Sequence, residues 1–94
     1  MSNQAIQDQV LMRVLQERER QVLKHGPKAD EHPPEKWLVI LAEEFGEVSK
    51  ALNENDPLEY YTELIQVAAV AIAAAENYLR NGELYGRGHF ESST

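Results

Sequence analysis

The chain has no cysteine, so disulfides and thiolate metal sites are excluded. It has a single tryptophan and only two phenylalanines, which leaves few large aromatic anchors for a core. Basic residues are also scarce: nine Lys and Arg stand against sixteen Asp and Glu, a net charge of −7. A general nucleic-acid binder shows a basic patch, and none is visible, so no nucleic-acid partner is expected. The longest unbroken apolar run, Val67 to Ala75, is nine residues. A bilayer span needs about 20, so no membrane partner is expected either. The first ten residues carry neither a basic stretch nor an apolar one, which argues against a secretory signal and for a cytoplasmic location.

What is present reads as helix. The 94 residues suit one domain, residues 1–94. Ile6, Val10, Leu11, Val14, Leu15 and Val22 recur at three- and four-residue steps and predict a first helix over 4–25. Gly26-Pro27 ends it. Pro34 opens a second helix that runs to about Leu52, and Asn53-Glu54-Asn55 is turn chemistry. In Asp56-Pro57-Leu58-Glu59 the aspartate caps, the proline takes N1 and Glu59 at N3 can bond back, opening a third helix to about Arg80. The tail from Glu83 has no period. The predicted fold is all-α: an antiparallel bundle of three main helices plus a short tail. From Leu64 to Ala75 only Gln66 is polar, and a helix apolar on every side needs cover that one thin domain does not supply. Completion by oligomerisation, as at least a dimer, is therefore expected.

Carboxylates carry the chemistry. At 100° per residue, Glu43, Glu44 and Glu47 share an arc of about 100°, and Glu44 lies within the apolar arc of Trp37, Ile40, Leu41, Val48, Ala51 and Leu52. A carboxylate on a core face is costly unless it is paired or binds a cation. Glu63 and Gln66 are three residues apart on the third helix. In an antiparallel hairpin turning near residues 53–56, Glu47 and Glu63 lie at matched levels, and Glu44, Glu47, Glu63 and Gln66 present oxygen ligands. Such donors suit Mg²⁺ or Mn²⁺. The bland alternative is a solvated face whose glutamates pair with Lys24, Lys36 or Lys50. Lys24 and Arg20 are candidate phosphate contacts, or else charges near a helix C-terminus. Trp37 is either a stacking surface for a base or a core residue.

Glu43-Glu44-x-x-Glu47, fifteen intervening residues, then Glu63-x-x-Gln66, resembles the EExxE…ExxD signature of the MazG-like all-α nucleotide pyrophosphohydrolases. Upstream, Arg20-Gln21-x-x-Lys24-His25-Gly26, Pro33 and Trp37 extend the resemblance, and Gln66 to Ala71 extends it downstream. The resemblance implies Mg²⁺-dependent hydrolysis of a nucleoside triphosphate to the monophosphate and pyrophosphate, by a dimer or dimer of dimers. It implies Glu44, Glu47 and Glu63 as metal ligands, with Gln66 at the fourth position and Glu43 as an auxiliary carboxylate. Arg20, Gln21, Lys24 and Trp37 fall in the substrate region. The departure is Gln66, a neutral side chain where the signature has aspartate. The rival expectation is a non-catalytic helical module that associates through its third helix.

Overall fold

A computed structural model of the chain describes residues 1–26 and 31–82. Three helices account for nearly all of them: α1 (Asn3–His25), α2 (Pro34–Asn53) and α3 (Pro57–Asn81). The predicted boundaries agree to within a residue at every end. Each boundary has a local cause. The Ser2 hydroxyl accepts from the Ala5 amide at 3.1 Å and caps α1. Gly26 ends that helix at φ 84°, in the left-handed region, while its amide donates to the Val22 carbonyl at 2.7 Å. Pro34 stands at the start of α2, where a missing amide proton costs no hydrogen bond.

The α2–α3 turn is the tightest piece of the fold. Asn55 takes the left-handed conformation at φ 54°. Its amide donates to Leu52 O at 3.2 Å, and the Asp56 amide donates to Ala51 O at 3.0 Å. This pair of bonds is a Schellman motif with asparagine at C′. Asp56 then caps α3, its Oδ1 accepting from the Glu59 amide at 3.1 Å. The Asp56 amide is already committed to Ala51, so Glu59 is not needed as its reciprocal partner, and its carboxyl turns to Glu63 instead.

Helix α3 is the centre of the molecule. Both other helices pack on it, and among the described residues α1 and α2 do not pack on each other. On one side Val14 meets Ile65 and Ala69, with Val10, Ala68 and Ile72 around them. On the other, Trp37 meets Val70 and Ala73, flanked by Ile40, Leu41 and Ala74. The alanines let both neighbours approach α3 closely. By length and composition alone α3 is apolar enough to cross a membrane. Here it serves as the core helix of an all-α domain. Outside these two cores much apolar surface is exposed, including Leu11, Leu15, Leu38 and Phe45.

Candidate functional site: an acidic pair beside a polar seam

Helices α2 and α3 run antiparallel, and the turn at Asn55–Asp56 sets their register. That register brings Glu44 of α2 against Glu63 of α3, and Glu59 lies one turn before Glu63. Both Glu44 and Glu63 are half-buried. Burial pushes the Glu63 carboxyl up to about 7, and hydrogen bonding to Glu59 and the charge and hydrogen bonding of Glu44 push it the same way. Burial and the two neighbouring carboxyls together keep a proton on Glu63 close to neutrality.

Gln66, one turn beyond Glu63, faces α1. Its Oε1 accepts from Gln21 Nε2 at 3.4 Å, and its amide hydrogen-bonds the Glu17 carboxylate. Glu17 is only 5% exposed. It accepts from Arg20 Nε at 3.0 Å and Nη2 at 2.6 Å, and from Gln21 Nε2 at 3.4 Å. The Arg20 hydrogen bond, foremost among these contacts, holds the Glu17 carboxyl below its ordinary range. The seam continues with buried Arg18, whose Nε donates to Glu76 Oε1 at 2.8 Å.

The expected site residues therefore divide. Glu44 and Glu63 come together. Gln66 joins Glu17 and Gln21 rather than the acidic pair, and Arg20 is tied to Glu17 by its own fork. Glu43 and Glu47 are exposed on α2, and Lys24 is exposed near the end of α1. Trp37 is 7% exposed and packs in the α2–α3 core, with the His32 ring edge-on at 5.0 Å. Among the described residues no three His, Cys, Asp or Glu side chains converge as a ready-made metal cage. Arg87 and His89 of the tail, and Lys28 of the loop after α1, lie outside the described residues.

Sequence reasoning missed Glu17, Arg18, Glu59 and Asn77. A signal for three of them exists. Counting from Val14, Glu17, Arg18 and Gln21 follow at three, four and seven residues, so the apolar stripe of α1 continues as a polar one on the same face. Glu76 and Asn77 follow Ala73 in the same way.

A divalent cation fits the donor chemistry of the acidic pair. Mg²⁺ is commonly held by one or two carboxylates together with substrate phosphates, not by an all-protein cage. Glu44 and Glu63 supply two hard oxygen donors whose mutual repulsion a cation relieves. No protein-family profile matches the chain, and neither the curated proteins nor the solved structures include one significantly similar to it.

Proposed function

We propose that the protein is a Mg²⁺-dependent nucleoside triphosphate pyrophosphohydrolase of the MazG-like kind. It would convert a nucleoside triphosphate to the monophosphate and pyrophosphate. The observation that carries this reading is the juxtaposition of Glu44 and Glu63, with Glu59 behind them and no basic side chain among the groups acting on Glu63. Carboxylates crowded in this way are relieved by a proton or by a cation.

In this reading Glu44 and Glu63 hold the cation. When bound, it would neutralise the triphosphate and polarise the α-phosphoryl group. The chain's own residues supply the rest. Water attacks the α-phosphorus, the bond to the bridging oxygen breaks, and pyrophosphate leaves. Glu43 or Glu47, exposed on the rim of α2, takes the proton that the water releases. Lys24 and Arg20 meet phosphate oxygens from α1, Arg20 with its orientation fixed by Glu17. Gln21 keeps Gln66 and Glu17 in place.

Pyrophosphate release from mixed nucleoside triphosphates tests the reading. Release is expected with Mg²⁺ and is abolished by a chelator or by Glu44→Gln. A chain that folds and releases no pyrophosphate from any common triphosphate at millimolar Mg²⁺ would overturn it. That result would favour the second reading, a helical association module, which the exposed apolar residues of α1 and α2 support.

A further inference from the structure

Helix α2 has more apolar surface than it buries. Its buried residues are Trp37, Val48 and Ala51, and among the described helices only α3 packs on it. Leu38, Phe45 and Leu52, by contrast, are 68%, 66% and 60% exposed. Each stands seven residues from the next. At 100° per residue the three fall within a strip about 40° wide, running about 21 Å along the helix. Ala42 and Ser49, small and exposed, lie beside it. Lys36, Glu43, Glu47 and Lys50 fall about 120° or more from Leu38 around the helix. The charges of α2 are thus gathered away from the strip, although a solvated helix side is where charge belongs.

Both ends of the strip border a concavity. Leu38 lines a cavity of about 490 Å³ with Pro34, Leu41 and Tyr78. Leu52 lines one of about 270 Å³ with Pro57 and Tyr60. The spacing is its own complement. Leu38 and Leu52 stand seven residues either side of Phe45, so a two-fold axis at Phe45 sets Phe45 against itself and Leu38 against Leu52 at both ends. A two-fold interface has this property: residue i meets j, and j meets i. Taking about 200 Å² for a large side chain, the exposed parts of Leu38, Phe45, Leu52, Tyr60 and Tyr78 amount to roughly 600 Å² a copy. A pair then buries about 1,200 Å², the lower edge of the range for stable interfaces.

We propose that the Leu38–Phe45–Leu52 strip is the seam of a two-fold dimer, in which α2 lies antiparallel to α2 of a second copy. Leu38 of one copy faces the concavity beside Leu52 of its partner, and the reverse holds at the other end. Ala42 and Ser49 let the two helices approach closely. Either functional reading accommodates this dimer, because Glu43 and Glu47 lie clear of the strip.

The chain has no cysteine, so each introduced thiol is unique. The full chain carrying Phe45→Cys, oxidised at micromolar concentration, should form a disulfide-linked dimer by itself. Leu38→Cys and Leu52→Cys should link when the two variants are mixed, and poorly when each is oxidised alone. Lys50→Cys, exposed but off the strip, is the control for random collision. Phe45→Arg sets two like charges at the axis. It should keep the helical circular dichroism and raise the dimer dissociation constant about thirtyfold or more by light scattering. Leu38→Cys and Leu52→Cys linking as well alone as mixed would overturn the antiparallel register. Lys50→Cys linking as readily as Phe45→Cys would overturn the seam. A dimer that Phe45→Arg leaves intact would do the same and would move association to α1 or α3. A native chain that stays monomeric would remove the interface altogether.

Discussion

Glu63 shares its surroundings with two other carboxylates, and the consequence is a definite pH dependence. Unfolded, its carboxyl titrates near 4.5; folded, near 7. Between those values the folded state holds the extra proton, so this group's contribution to stability falls as pH rises through the window. The melting temperature of the metal-free protein should therefore decline from about pH 5 to about pH 7.5, and Glu63→Gln should flatten that decline. Millimolar Mg²⁺ should do the same for the native chain if the pair binds it. Glu17 acts in the opposite sense: its carboxyl is held low, so its contribution is present at neutral pH and is lost in acid. Gln66 gives a second test. Aspartate there would complete the MazG-like signature and should tighten metal binding if position 66 is a ligand. The seam points elsewhere, because Gln66→Asp sets a second carboxylate against Glu17. Expected is a loss of about 1–3 kcal/mol in denaturant unfolding, with no gain in Mg²⁺ affinity by calorimetry. Periodicity made Glu44 and Glu63 legible beforehand as carboxylates on inward faces, but the residue count across the turn set Glu47 level with Glu63, and it is Glu44 that meets it. The alliance of Gln66 with α1 was not legible, since no spacing along α3 reveals what a different helix presents to it.

At the level of the element, Asp56 belongs to two helices at once. Its amide closes the end of α2 and its side chain opens α3. Asp56→Ala keeps the first bond and loses the second, and should cost about 1 kcal/mol in thermal unfolding. Because the cap also fixes where α3 begins, the same change should loosen the register of Glu44 against Glu63. The start of α3 was readable in the sequence: Asp at the N-cap and Pro at N1 suit the opening of a helix and little else. The role of Glu59 was half-readable. Its place at N3 was evident, but the sequence does not say that the Asp56 amide is already satisfied by Ala51, which releases the glutamate toward Glu63.

For the whole molecule, the question is what covers the apolar surface. Leu38 is 68% exposed and Phe45 66% on α2, while Leu11 and Leu15 are exposed on α1. Exposed large apolar side chains in such number favour association. Light scattering after size exclusion should give at least a dimer at micromolar concentration, and a stable 10.7 kDa species would contradict the expected self-association. The three-helix architecture followed from periodicity and stop signals. The sequence did not reveal that α1 and α2 avoid each other, because the apolar stripes of both helices are equally compatible with a closed triangle. That avoidance bears on cooperativity. The Val14–Ile65–Ala69 core and the Trp37–Val70–Ala73 core have no residue in common and meet only through consecutive turns of α3. The α2–α3 hairpin, closed by a short turn, is a local unit whose formation needs little loop entropy. Helix α1 joins it from across a longer connection, with a smaller core and a polar seam to secure it. The chain is built as a hairpin and an arm: one core holds the α2–α3 register that pairs Glu44 with Glu63, and a separate one seats α1.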